Sequence, residues 1–146
     1  MGTCKLCGQD AGFLRGVHKE CQAKHDNGVT QIVELITSRA TRDAASQVKT
    51  EIGQISQASF IQTEELVAAE IKGWQGAVTK SLEDDILTIE EEKSLATLKE
   101  ELSLDQEALD SDGSFLKLVK AAVLRDFYQF VGHAVVRLGA IEIELH

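Results

Sequence analysis

From Val29 onward the apolar residues fall at Val29, Ile32 and Ile36, and again at Val48, Ile52 and Ile55. Intervals of three and four place each set on one face of a helix. Between them, Arg39 to Gln47 is rich in Ala, Thr and Ser, so the apolar face is thin there, and Gly53 to Ser59 reads as a weak helix end or a kink. A second helix is predicted from Thr63, whose hydroxyl can cap it, with Glu64 and Glu65 suiting its positive end. Leu66, Val67, Ile71, Trp74 and Val78 would form its buried face, and Gly73 and Gly76 leave room for close packing beside Trp74.

Thr88 followed by Glu91 is a capping-box pattern, which predicts a helix from Ile89 with Leu95, Leu98 and Leu102 as its stripe. Ser103 with Gln106 repeats the pattern for a short helix through Leu109, and Asp110-Ser111-Asp112-Gly113 reads as a turn. A last helix, Ser114 to about Val131, carries Phe115, Leu118, Val119, Ala122, Phe127 and Phe130. As the most hydrophobic element it is expected at the centre of the bundle. Trp74, Phe127 and Tyr128 are expected in the core, and His133 just past the helix end, where a cation suits the dipole. Beyond it, Ala134 to Leu138 and Ala140 to Leu145 alternate like strands around Gly139. A two-stranded ribbon is marginal alone. This strand-like tail is therefore expected to pack on the helices, to pair with another chain, or to open a longer unit.

Residues 1–27 lack this periodicity until about Cys21 and are rich in Gly, Cys and His. Asp26-Asn27-Gly28 is a breaker that a helix could still cross at some cost. All three cysteines lie before residue 22 of the 146. They form, with a histidine, the pattern Cys4-x2-Cys7-x10-His18-x2-Cys21. The first pair suits a tight turn, with Gly8 permitting an unusual backbone angle. The second fits the first turn of a helix, where residues three apart share a face. Thiolates and imidazole are zinc's preferred ligands, and four of them leave no open position, so a structural Zn2+ is expected. Cys21-x3-His25 is also acceptable spacing; His18 is preferred because it mirrors the first pair and leaves His25 an ordinary exposed residue. A redox Cys-x-x-Cys normally opens a helix after a strand, and nothing strand-like is read before Cys4. Over residues 4–25 the pattern resembles a treble-clef or zinc-ribbon finger.

The chain carries a formal net charge of −9, unevenly spread. Residues 1–25 hold Lys5, Arg15, Lys19 and Lys24 against Asp10 and Glu20, a net of +2, which leaves −11 on the remainder. An acidic body is a poor binder of phosphate backbones, so only the finger could meet a polyanion. Residues 83–112 hold twelve acidic side chains and two lysines. They lack the spacing of an EF-hand, and a solvated face with charged caps accounts for them. Leu82-Glu83-Asp84-Asp85-Ile86-Leu87-Thr88-Ile89-Glu90-Glu91-Glu92, followed by Leu95, Leu98 and Leu102-Ser103-Leu104-Asp105, resembles the tellurite-resistance B (TerB-like) helical domain across residues 62–130. That resemblance implies an all-helical bundle, metal association at the acidic turn and a bacterial or phage source. The family's Asp-Gly step at that turn is Asp84-Asp85 here.

These readings combine into a mainly α protein. A zinc finger (1–27) joins a helical bundle (28–132), and a short strand-like tail (133–146) follows. No Gly-rich phosphate loop, triad or paired catalytic carboxylates stand out. The expected role is a non-enzymatic interaction or adaptor protein with a protein partner. Two alternatives are a nucleic-acid module using the basic finger and a divalent-metal sensor using the acidic turn. No signal peptide or membrane-length apolar run is read, so a cytoplasmic setting is expected, with homo-oligomerisation open.

Overall fold

The computed structural model describes the backbone over residues 2–13, 16–39 and 45–144, and side-chain surroundings over the same residues except 45–46 and 133–144. Two short strands, β1 (Gly2–Thr3) and β2 (Asp10–Gly12), pair antiparallel, with Gly2 opposite Gly12 and Thr3 opposite Asp10. Among the described residues six helices follow: α1 (Lys19–Arg39), α2 (Ala45–Ala58), α3 (Thr63–Ser81), α4 (Ile89–Glu101), α5 (Gln106–Leu109) and α6 (Ser114–Glu144). The architecture is a small finger on a helical bundle. The finger's hairpin is the only sheet among the described residues.

Helix α1 runs unbroken through Asp26-Asn27-Gly28. The cost of Gly28 is offset by what it permits. Ser59, in the α2–α3 connection, lies where a side chain at 28 would sit, its Cβ 2.3 Å from the Cβ an alanine would carry. Ile36 of α1 approaches Gly73 of α3 in the same way, at 2.7 Å. The core gathers Ile32 and Ile36, Val48 and Ile52, Trp74, Ala77 and Val78, then Leu87, Leu95, Leu98, Leu109 and Leu118.

Helix α3, rather than α6, occupies the centre: it touches α1, α4, α5 and α6. Trp74 is fully buried, its indole Nε1 donates to the Leu95 carbonyl at 3.0 Å, and its ring stacks near Phe115 with centroids 6.3 Å apart. Val67 faces outward, unlike its expected neighbours on that helix.

Several element ends depart from the sequence expectation. Helix α3 is capped by a box of Gln62 and Glu65 instead of the Thr63 hydroxyl. The Thr88–Glu91 box forms as read, with the Glu91 amide donating to Thr88 Oγ1 at 3.2 Å. At α5 the cap is Asp105, whose carboxylate accepts the Ala108 amide at 3.0 Å. Ser103 is engaged elsewhere, in a left-handed conformation (φ 52°) that closes α4. The tail is a correction: residues 133–144 continue α6 as helix, not as strands. Among the described residues the only sheet is the finger's own hairpin, and extending a formed helix costs less than starting a ribbon. Leu145 and His146 lie outside the described residues. Phe127 and Tyr128, expected in the core, are exposed, as are Val119 and Phe130. His133 lies within α6, not past its end.

Candidate metal centre

Between β1 and β2 the chain makes a tight turn that carries Cys4 and Cys7. The Cys4 amide donates to the Gln9 carbonyl at 2.7 Å, and the Gly8 amide to the Cys4 carbonyl at 2.9 Å. Gly8 takes φ +75°, the left-handed conformation that brings the chain back beneath Cys4. A two-residue strand therefore does precede Cys4, contrary to the sequence reading. The Cys-x-x-Cys sits on the turn of a hairpin, however, and opens no helix.

His18 immediately precedes α1, and Cys21 lies in its first turn. The Gln22 amide donates to the His18 carbonyl at 3.0 Å and starts the helix. His18 Nε2 lies 2.9 Å from the Asp10 carbonyl oxygen, which can only accept. That contact assigns the proton to Nε2 and turns the Nδ1 lone pair toward the thiols. Nδ1 is 3.3 Å from Cys7 Sγ and 3.6 Å from Cys21 Sγ.

The donor atoms of Cys4, Cys7, His18 and Cys21 all lie within 4.8 Å of one another. A tetrahedral shell with metal–sulfur bonds of about 2.3 Å and metal–nitrogen bonds of about 2.0 Å separates its donors by roughly 3.5–3.8 Å. The four side chains thus fit a metal ion, and this is the only such group among the described residues.

The thiols are unlike one another without metal. The Cys7 backbone amide, with those of His18 and Leu6, stabilises the Cys4 thiolate and lowers its pKa to about 6. Burial, reinforced by the thiols of Cys7 and Cys4, pushes Cys21 up to about 11. His18 is raised, first by its hydrogen bond to Asp10 and then by Cys7. A metal ion must therefore displace a proton from Cys21 at neutral pH.

His25 is not part of this cluster, nor is it an ordinary exposed residue. Its Nε2 lies 2.9 Å from Glu65 Oε2 and its Nδ1 3.2 Å from Asp26 Oδ1, with only 13% of the side chain exposed. The sequence reading missed this link from α1 to α3, since residues forty apart carry no local signal.

A groove of about 660 Å³ opens beside the cluster, lined by Cys7, His18, Lys19, Lys24 and Phe60 among others. Lys5, Lys19 and Lys24 are exposed; Arg15 lies outside the described residues. Phe13, just past β2, is 84% exposed, a feature the hydrophobic pattern did not single out.

In the acidic stretch, Glu91 Oε2 accepts from the Thr88 amide at 2.9 Å, and Asp84 Oδ1 accepts from the Ile86 amide at 3.1 Å. These carboxylates serve local backbone, and Glu83, Asp84, Asp85 and Glu91 do not converge as a donor cluster.

Comparison with known proteins finds no matching family, no matching curated protein and no matching solved structure. The TerB-like resemblance over residues 62–130 rests on its residues alone. Among the described residues no helix is long and apolar enough to cross a membrane.

Proposed function

We propose that this chain is a zinc-binding, non-enzymatic interaction protein whose finger docks a protein partner. The observation that carries the reading is the convergence of four protein donors, Cys4, Cys7, His18 and Cys21. Soft thiolates with an imidazole favour Zn2+. A shell filled by protein leaves no position for a substrate or an activated water, so the metal organises the fold. The finger is too small to hold itself together by a core, and metal binding supplies that folding energy.

Phe13 supports the docking role. An exposed aromatic at the end of the hairpin is the kind of anchor around which interface energy concentrates. The TerB-like resemblance of the bundle supports a bacterial or phage setting.

Elemental analysis of the purified chain should find one zinc per molecule. Chelation should unfold the finger and abolish capture of the partner, while Phe13→Ala should keep the zinc and lose the partner. Zinc-free protein with an ordered front end overturns the metal reading. A partner whose binding survives both treatments overturns the docking reading.

A second reading rests on the exposed Lys5, Lys19 and Lys24 around the finger, which could meet phosphate. It requires an affinity for nucleic acid that falls steeply with salt. A flat, weak response at low salt removes it.

A further inference from the structure

Helix α6 carries two apolar faces, and the bundle uses only one of them. At 100° per residue, Ser114, Leu118 and Arg125 point toward the bundle. Ser114 and Leu118 are buried, and Arg125 reaches Glu92 at 2.6 Å. On the opposite side, Leu116, Val119, Val123, Phe127 and Phe130 fall within an arc of about 80° that holds no polar residue over that span. All five are exposed, Val123 at 62%, Phe127 at 59% and Phe130 at 73%. A continuous apolar stripe on a helix is normally covered by a packing partner.

The spacing of the outer stripe is three, four, four, three, so Leu116 and Phe127, and Val119 and Phe130, stand eleven residues apart. An eleven-residue repeat keeps a stripe nearly parallel to the helix axis and suits a close helix–helix seam.

We propose that this outer face of α6 is the dimer interface, covered by α6 of a second copy of the chain lying parallel to it. Scaled by aromatic side chains of roughly 150–250 Å², the five exposed apolar residues of this face present on the order of 500 Å², toward the upper end of the roughly 300–600 Å² of the largest patch on a typical monomer.

Charge fixes the direction. Lys120 borders the stripe on one side and Asp126 on the other, both exposed. In a parallel pair about a two-fold axis, one flank of each helix faces the opposite flank of its partner, as g faces e′ in coiled coils. Lys120 of each copy then meets Asp126 of the other, twice. Antiparallel pairing would set each flank against its own kind. Asp126 also takes the neighbouring Arg125 Nε at 3.0 Å, which leaves carboxylate lone pairs for a second cation.

The interface is independent of the metal reading, since every residue it uses lies on α6. Sedimentation of the intact chain across micromolar concentrations should give a dimer. Phe127→Glu with Phe130→Glu should give a monomer with unchanged zinc content and helicity. Lys120→Glu should raise the dissociation constant about tenfold, and adding Asp126→Lys should restore it. A monomer at every concentration overturns the proposal, as does a dimer that survives the paired glutamates. Failure of the charge swap to restore association overturns the parallel arrangement. A monomer that acquires a foreign acidic helix on this face would assign the surface to another partner and defeat the second copy.

Discussion

The ring of His25, four residues after Cys21, meets the carboxylate of Glu65 on α3 at 2.9 Å. The same carboxylate accepts the Gln62 amide at 3.0 Å and so caps its own helix. One side chain thereby secures the start of α3 and ties it to α1.

This pair makes stability depend on pH. The Glu65 hydrogen bond, then Asp26, raises the pKa of His25, and the pKa of Glu65 is lowered mainly by His25. A raised imidazole contributes stability that is complete below its ordinary value near 6.5 and is lost as pH rises through the folded value. A depressed carboxylate contributes stability above its ordinary value near 4.5 and loses it as pH falls through the folded value. The pair should therefore count most between these limits. Glu65 is nearly half exposed, so the effect is below about 1 kcal/mol. Denaturant melts of the wild type and His25→Ala should differ most near pH 5.5, with the gap narrowing as pH rises through the raised imidazole value. A gap that is constant with pH would deny the ion pair.

Metal loading should release protons. With Cys21 near 11 in the metal-free site, its thiol is protonated at neutral pH and must give up that proton on binding. A pH indicator in weak buffer should register at least one proton per ion at pH 7, and apparent affinity should rise as pH rises. Cys21→Ser should lose the metal, and replacing Asp10 should not, because its contact with His18 comes from the backbone carbonyl.

Trp74→Phe should cost about 1–3 kcal/mol. It removes the donor to the Leu95 carbonyl and part of a fully buried ring that packs near Phe115. Urea midpoints would show this loss, with the slope unchanged. A change below about 0.5 kcal/mol would mean that neither contact matters.

Ser103→Gly should stabilise the bundle. The Ser103 amide donates to the Glu100 carbonyl and the Leu104 amide to the Lys99 carbonyl, each at 3.0 Å, around a residue at φ 52°. This is the helix-ending arrangement that glycine favours, and serine is strained there. A gain of about 0.5–1 kcal/mol is expected from thermal melts. Loss of stability on this change would show that the serine side chain makes a contribution larger than the strain.

The grouping of Cys4, Cys7, His18 and Cys21 and the Thr88–Glu91 box were legible because each is built from pairs of residues close in sequence. The Cys pair, the helix-borne pair and the cap are all set by local spacing. The link between His25 and Glu65 was not legible, because it exists only once α1 and α3 pack. The tail misled for a different reason. Ile141-Glu142-Ile143-Glu144 alternates, but alternation reports a strand only where a sheet waits to receive it, and α6 simply continues. The hydrophobicity of α6 was read correctly and placed wrongly. A helix with two apolar faces reads as a core element, and the pattern alone does not say whether the cover for the second comes from the same chain.

Helix α1 begins at the Cys4, Cys7, His18 and Cys21 cluster and runs without interruption past Ile32 and Ile36 in the core. No joint separates the two ends of this rod, roughly 30 Å long. An ion at its head would hold a fixed bearing on the whole bundle. Cobalt bound there would then serve as a paramagnetic beacon, from which the position of every other helix could be triangulated in solution.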